Sequence, residues 1–528
     1  MRLNKNETIV LDSVIENITT TVNHIVSKTS IGKRTVQNAL KKLVENGKVE
    51  AVGQGKSREY QRVFNPNDSV KTLVVFNSGQ NVGTLKYGNG EYSFKYNEKY
   101  NGSNLEGLNR DSTNYSVELF TFFENLIPEY HRRVKLLKDR EEIADTLEEL
   151  NNSHGALDFI RLQELHKYKP NYGKRKSWIT VKEKILSSNK FPNLLNVKIN
   201  IADEILDAIA NTEHSNLSGY QTKIDIDLDL EKKTITESKE AGYLLKPRNK
   251  EKNNYFNNED GLKKYYPFIA INEHLFMSFA KNELGFDVPY SAIVKAKDSD
   301  YHYVTKRYDR LEGLKYSQVD FAQVMGIKSE NKYKSSAEEL FEAIDKKLFN
   351  QEAKNEAIKF YFYSYLVKHA DLHLKNIGAI EIGNKKFIMA PLYDLISVGI
   401  YNGKSNDLGL PMKNPYKKPR NWRMEDFYKL ASIIGLSKIA FKKEARKITR
   451  IYLKKMPEYI EIMRTFEKKN PLEMQKTRLT SYVSFSDKLN NVFNEKIISL
   501  KKLGVIKELE LIDEAGGLLS AQKNLKLT

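Results

Sequence analysis

The chain has 528 residues, 40% of them hydrophobic and 29% charged, with a net charge of +18 and no cysteine. Such a length supports two to four domains with sizeable cores. The missing cysteines exclude disulfides and thiolate metal sites, and no run of eighteen apolar residues predicts a membrane-spanning helix. The opening MRLNKNETIVLDSVIEN has no apolar stretch of the secretory kind, so the expectation is a cytoplasmic protein with no membrane partner. An excess of Lys and Arg draws a protein toward polyanions, chiefly nucleic acid, unless it serves only solubility.

In chain order, Ile9, Val10, Val14 and Ile15 recur at helical spacing and predict a helix over 6–17. A second fits Thr20–Lys28, with Val22, Ile25 and Val26 inward. Thr29-Ser30-Ile31-Gly32 then turns the chain into a third helix over Lys33–Asn46, where Val36, Leu40 and Leu43 share a face and Asn46-Gly47 supplies the stop. Two strands, Lys48–Val52 and Arg58–Val63, flank the loop Gly53-Gln54-Gly55-Lys56-Ser57. This order resembles a winged helix-turn-helix domain, whose second helix of the pair enters the major groove while the hairpin wing lies on the backbone. The resemblance makes Lys33, Arg34, Gln37, Lys41 and Lys42 on the third helix, with Lys56, Arg58 and Arg62 on the wing, the candidates for contact with double-stranded DNA. Residues 1–62 carry 11 Lys+Arg against 6 Asp+Glu, enough cations for phosphate contacts, and Gln37 or Arg34 could read base edges. The same module also serves protein docking, and a homodimer would match the paired half-sites of winged-helix repressors.

Asn65-Pro66-Asn67-Asp68-Ser69 reads as a linker. Three alternating strands follow within residues 71–100, with tight turns at Asn77-Ser78-Gly79 and Gly88-Asn89-Gly90. FFENLIPE (122–129) and HGAL (154–157) carry no chemistry of their own, and the basic stretch 161–200 reads as a solvated face in preference to an accessory contact surface. HSNLSGYQTKIDIDLDLE (214–231) is a Ser/Gly loop running into an alternating strand. Gly219 there would let backbone N–H groups approach a phosphate, although an ordinary turn fits as well. AGYLLKPRN places Lys246 at the end of an apolar strand. A helix over 267–283 follows, with Ile269, Ile271, Leu275, Phe276 and Phe279 as its apolar stripe, and Glu273 on it could pair with Lys246. YHYVTKRYDR (301–310) is a strand entering a basic turn, and YSQVDFAQVMGI (316–327) is amphipathic. Helices are expected at 336–349 and 353–369, and from Trp422 the pattern is helical, with a Lys-rich stretch over 437–467 and a last helix over 485–513.

The richest stretch is His369–Ser397, HADLHLKNIGAIEIGNKKFIMAPLYDLIS. Asp371 precedes Asn376 by five positions, the offset of a kinase catalytic loop in which Asp accepts the substrate hydroxyl proton and Asn holds magnesium. Residues 377–382 and 385–390 read as a hairpin about Gly383-Asn384, which would bring Asn376 beside Asp394. Two oxygen ligands so placed, with Asp371 near them, could hold magnesium on ATP phosphates next to a general base. On residue types alone a polar loop remains open, with Asp394 capping a helix that starts at Leu395.

HADLHLKN with APLYDLIS is similar to the signature of the HipA family of bacterial serine/threonine kinases from toxin–antitoxin systems. The SGYQTK loop, residues 71–100, FFENLIPE, HGAL and YHYVTKRYDR are similar to further segments of that family. The resemblance implies an α+β fold: a bilobal, protein-kinase-like body with a mixed β N-lobe and an all-α C-lobe, preceded by the small winged-helix domain at 1–65. On that scheme 70–160 is the N-terminal β subdomain with following helices, 161–200 the insertion, 201–312 the N-lobe and 313–528 the C-lobe. It implies ATP and Mg²⁺ as cofactors. Asp371, with His373 and Lys375 in its loop, is catalytic, and Asn376 and Asp394 hold the metal. Ser218, Gly219, Gln221, Lys223, Lys246, Glu273, Lys306 and Tyr308 surround the nucleotide. Ser215 and Ser218 are the autophosphorylation candidates, because Asn216 stands where the best-known members carry their serine. The substrate would be a protein Ser/Thr hydroxyl, with aminoacyl-tRNA synthetases as family precedents. The conventional GxGxxG loop is missing, as in an atypical kinase. Two readings compete with this one. The first is a DNA-binding transcriptional regulator whose kinase-like body senses nucleotide without transferring phosphate. The second is a metal-dependent nuclease.

Overall fold

The computed structural model describes residues 4–15, 20–53, 55, 58–62, 71–88, 91–127, 147, 155–172, 186, 191–202, 206, 223–238, 242–248, 268–297, 300–311, 314–401, 406–413, 421–471 and 484–513. It divides into two units, Met1–Tyr172 and Gly173–Thr528.

In the first unit the apolar periodicity produces helices Lys5–Ile15, Val22–Thr29 and Lys33–Glu45, then the antiparallel strands Val49–Val52 and Glu59–Arg62. Val10, Val14, Ile25, Val36, Leu40, Leu43 and Val49 close one small core. The first helix turns Leu11 rather than Ile9 into that core, since Leu11 is buried and Ile9 only half-buried. Local chemistry fixes the ends. Thr21 caps the second helix by accepting from the His24 amide, and Gly47 takes the left-handed conformation (φ 65°) that the chain needs to leave the third. A five-stranded antiparallel sheet follows, ordered Asn114–Ser116, Glu91–Tyr96, Gln80–Gly88, Lys71–Asn77, Leu157–Arg161. Ser78 (φ 50°) and Gly79 (φ 70°) make the expected two-residue turn. Asn89 and Gly90 of the second expected turn lie outside the described residues, as do Pro128, Glu129 and His154.

The second unit is built on a seven-stranded sheet, ordered Leu194–Leu195, Ser291–Lys295, Tyr301–Lys306, Tyr243–Lys246, Ile224–Asp229, Thr234–Glu237, Lys198–Ile199. The five inner strands are antiparallel and the two edge strands add in parallel. Residues 194–199, within the stretch 161–200 expected to be a solvated insertion, thus supply both edges of the sheet. Strand alternation sorts its side chains. Ile224, Ile226, Leu228, Tyr243, Leu245, Ala292, Val294 and Val304 form a core on one face. Lys246 and its cross-strand partner Tyr303 point to the other. Helix Ile269–Asn282 packs on the strands Ser291–Lys295 and Tyr301–Lys306. It is buried on every side from Ile269 to Ala280, because its far side meets the helical part of the unit. There Phe279 stacks on Tyr363 (5.8 Å between centroids) and meets Tyr459 edge-on at 5.1 Å. The one-sided stripe expected from sequence is therefore a whole-helix burial.

The helical part comprises Ala337–Lys347, Gln351–Leu366, Met424–Ile433, Lys438–Lys469, Phe485–Lys502 and Val505–Glu508. The aromatic run Phe360–Tyr365 is core throughout. The last helix, expected to be continuous over 485–513, breaks at Leu503-Gly504, where Gly504 has φ 75°. Between the sheet and these helices, Gln318–Asp320, Gly378–Glu381 and Phe387–Met389 form a small antiparallel sheet. Its hairpin turn is wider than the expected pair, because Gly383, Asn384 and Lys385 all have positive φ.

His274 ties these layers together. Its Nε2 accepts from the Asn193 amide at 2.9 Å, so Nδ1 carries the proton toward Ser291 Oγ, 2.8 Å away. Burial pushes its pKa down to about 3. The unfolded chain binds this proton near pH 6.5 and the folded one does not, so the stabilisation is complete above about 6.5 and falls as pH drops toward 3. Urea unfolding between pH 7.5 and 5 should show stability falling with acid, with a slope contribution from this residue approaching about 1.4 kcal/mol per pH unit. His274→Leu, although less stable at pH 7.5, should have a shallower slope, and an unchanged slope would refute this assignment.

Candidate functional site

Two cations and two anions meet where the sheet, the buried helix and the segment after the hairpin converge. Lys246, at its strand end and only 3% exposed, donates to both carboxylate oxygens of Glu273 at 2.8 Å. It also donates to Asp394 Oδ1, and Lys223 donates to Asp394 Oδ2 at 2.9 Å. The Tyr303 ring lies 5.5 Å from the Lys246 ammonium. An unpaired buried ammonium would be costly, but one held by two carboxylates stays charged. Burial alone would lower the Lys246 pKa; Asp394 and Glu273 reverse this and raise it. Burial would likewise raise the Asp394 carboxyl, yet Lys223 and Lys246 hold it well below the usual range. Glu273 is the weaker acid of the pair, pushed up to about 7 by burial against the pull of Lys246.

The buried helix holds both halves of this node. Glu273 meets Lys246, and the preceding Asn272 clamps the chain beyond Asp394, donating to Ser397 O at 3.0 Å and accepting from Ser397 N at 2.9 Å. Asp394 itself lies in the left-handed region (φ 57°), which Asp tolerates better than most residues. No helix starts at Leu395; the next turn of helix is Val398–Ile400. The capping role that residue types left open for Asp394 is thereby replaced by ion pairing.

The loop of Asp371 approaches from the helical side. The turn of helix Leu374–Asn376 folds Asn376 back so that its Nδ2 donates to the Asp371 carbonyl at 3.0 Å. Asp371 is buried, and its Oδ1 accepts from the hydroxyl of Tyr333. Tyr393 Oη donates to Lys375 O at 2.8 Å, which ties the residue before Asp394 to the residue before Asn376. This tyrosine, which sequence reasoning did not single out, thus links the chain on either side of the hairpin. Lys375 turns its ammonium to Asp320, 3.5 Å away. His373 is buried, with no hydrogen-bond partner for either ring nitrogen among the described residues, and packs edge-on to Tyr333 at 5.0 Å. Burial keeps its pKa well below the ordinary histidine value.

Not every expected residue joins this cluster. Lys306 pairs with Tyr243 across the strands and sits over its ring at 4.4 Å, on the sheet face opposite Lys246. Strand parity therefore separates it from the node. Tyr308 stacks on Tyr393 (5.6 Å) and its hydroxyl is taken by Gln318. Beside it, Arg307 bridges Asp309 and Asp225, a buried ion network that the sequence did not announce. Ser215, Ser218, Gly219 and Gln221 lie outside the described residues. In the first unit, Lys33, Arg34, Gln37, Lys41 and Arg58 are exposed, while Lys42 pairs with Glu7 at 3.1 Å. Lys56 lies outside the described residues, as does the side chain of Arg62.

Among the described residues no group of three His, Asp or Glu could hold a metal by itself. Magnesium nonetheless fits the donors present. It commonly takes one or two protein oxygens together with substrate phosphates. Asp394 is a strongly acidic carboxylate already matched to cations. Asn376 is anchored through Nδ2, with no donor to its Oδ1 among the described residues.

Residues 215–460 match the family model of the HipA-like C-terminal domain, to which that stretch of the chain is similar. A Haemophilus influenzae protein named "Putative kinase" is 30% identical over 212 residues, which are 37% of this chain and 57% of the relative's length. The Shewanella oneidensis MR-1 HipA, solved in a complex of HipA, HipB and operator DNA from a toxin–antitoxin system, superposes with a TM-score of 0.54 at 16% identity. That alignment covers 80% of this chain and 97% of the HipA chain, and establishes a shared fold. Among the described residues no helix is long and apolar enough to cross a membrane.

Proposed function

We propose that the second unit is a protein kinase that transfers the γ-phosphoryl group of ATP to a Ser/Thr hydroxyl. The observation that carries this reading is the Lys246–Glu273–Asp394 node set against the Asp371–Asn376 loop. Phosphoryl transfer needs little covalent help from a protein. It needs cations along the phosphates, oxygen ligands for magnesium and a carboxylate beside the attacking hydroxyl. Glu273 positions Lys246, and Lys246 and Lys223 neutralise phosphate oxygens. Asn376 and Asp394 supply the oxygens for Mg²⁺, which when bound neutralises charge that develops on the phosphates. Asp371 orients and deprotonates the acceptor hydroxyl. Ser215 and Ser218 are proposed as autophosphorylation positions of the phosphate loop. The name of the Haemophilus relative supports a kinase reading.

We further propose that residues 1–65 bind double-stranded DNA as a winged helix-turn-helix domain. Three helices and a hairpin stand in the required order, and Lys33, Arg34, Gln37 and Lys41 line the exposed face of the third helix. The operator DNA in the HipA complex supports a link between this fold and DNA. In this chain the DNA-binding part would be fused to the kinase. The rival reading keeps DNA binding but makes the second unit a nucleotide sensor. The joint presence of Asp371, Asn376, Asp394 and Lys246 favours catalysis over sensing.

Purified protein given Mg²⁺ and γ-labelled ATP, with cell extract as a source of acceptors, should transfer label to protein. Asp371→Asn should reduce the rate about 10²–10⁴-fold, the usual contribution of a general base. Equal labelling by the variant contradicts the assignment. Double-stranded DNA should bind with an affinity that falls steeply with salt, and Lys41→Ala should reduce the log–log salt slope by about 1. A slope that Lys41→Ala leaves unchanged removes this face from the interface.

A further inference from the structure

We propose that Tyr333 is itself a phosphoacceptor of this site, modified within the same chain. The inference rests on the kinase reading of the second unit and adds an acceptor that its motifs do not contain. A general base must be within hydrogen-bond reach of the proton it removes. Tyr333 Oη meets this condition, since it donates to Asp371 Oδ1. A tyrosine used only as packing need not aim its oxygen at that carboxylate.

The loop that carries Tyr333 is fastened to the catalytic loop rather than draped over it. The Leu374 amide donates to Lys332 O at 3.3 Å, and the Tyr333 ring meets His373 edge-on. Within the loop, Asn331 N donates to Lys328 O and Lys334 N to Asn331 O, each at 2.8 Å. Ser336 then caps the following helix through a reciprocal bond with Glu339. The phenol is therefore presented by a folded turn with little freedom to lose on reaction, which is the condition for efficient intramolecular transfer. Tyr333 is only half-buried. The Lys332 ammonium, 5.7 Å from the centre of the ring, places a cation near the anion that would form. Asn376, a proposed metal ligand, is bonded to the backbone of the same aspartate. Base, acceptor and proposed metal-holding residue are thus joined by direct hydrogen bonds.

In the step itself a bond forms between Tyr333 Oη and the γ-phosphorus. The bond from that phosphorus to the β–γ bridging oxygen breaks, and ADP leaves with the electron pair. The phenol proton passes to the Asp371 carboxylate. The products are phosphotyrosine at 333 and ADP, with no further reactant.

The test is incubation of the full chain with MgATP and mapping of phosphate by peptide mass spectrometry, alongside Asp371→Asn and Tyr333→Phe, with cell-extract proteins scored in parallel. The expected result is phosphotyrosine at 333 in the wild type, lost in Asp371→Asn, with a fractional rate independent of protein concentration. In Tyr333→Phe no phosphate should appear on that peptide. Phosphate on serines or on extract proteins with Tyr333 unmodified would overturn the proposal and leave the kinase reading standing. Phosphate at 333 that persists in Asp371→Asn, or forms at a rate proportional to protein concentration, overturns the intramolecular step. A complete absence of transfer, to this chain and to extract alike, overturns both.

Discussion

A lysine buried between two carboxylates is the constraint on which the second unit depends. Lys246 could not be placed at 3% exposure without partners, because an isolated ammonium out of water costs far more than a domain can spare. Its partners come from two distant parts of the chain, Glu273 and Asp394. Satisfying that one charge obliges the sheet, the buried helix and the segment after the hairpin to meet at a point. Once they meet, Asn272 has Ser397 to clamp, and Tyr393 reaches back to the loop of Asp371 and Asn376. Buried ion clusters seldom maximise stability, since apolar residues of similar size often do as well. That this one sits at a convergence of three elements argues for a functional reason.

The chemistry follows from the same balance. Two ammoniums and two carboxylates leave the node close to neutral, with Asp394 carrying a cation on each of its oxygens. On the proposed kinase reading, an incoming triphosphate would offer both lysines an alternative anion and bring with it the metal that Asp394 would then accept. The exchange would trade one set of ion pairs for another, so little charge need be left unpaired along the way. Glu273 would remain with Lys246 and keep it aimed.

Much of this was legible in the sequence, and the limits have physical causes. The Asp371-to-Asn376 offset, the strand-end Lys246 and Glu273 on the next helix are local patterns; Lys246 and Glu273 meet in one ion pair, and Asn376 folds back onto the Asp371 carbonyl. The three N-terminal helices were legible because their apolar residues keep one face. The helix Ile269–Asn282 was placed within two residues, but its burial on all sides came from packing on both a sheet and a helical layer. Lys306 was misplaced because Tyr301 to Val304 are all buried, so the strand shows no alternation from which to read its facing. Tyr333 stands in KSENKYKSS, a polar run with no periodicity, and reaches Asp371 only through tertiary structure. The edge strands at 194–199 are two residues each, too short to carry a strand signal in a basic context.

The account stands or falls on Asp394 as the residue that links metal to nucleotide. The most direct measurement is calorimetric binding of ATP with and without Mg²⁺, for the wild type and for the near-isosteric Asp394→Asn. The account predicts that Mg²⁺ tightens ATP binding to the wild type and that the variant, though folded, loses this enhancement. An equal Mg²⁺ enhancement in both proteins would contradict it.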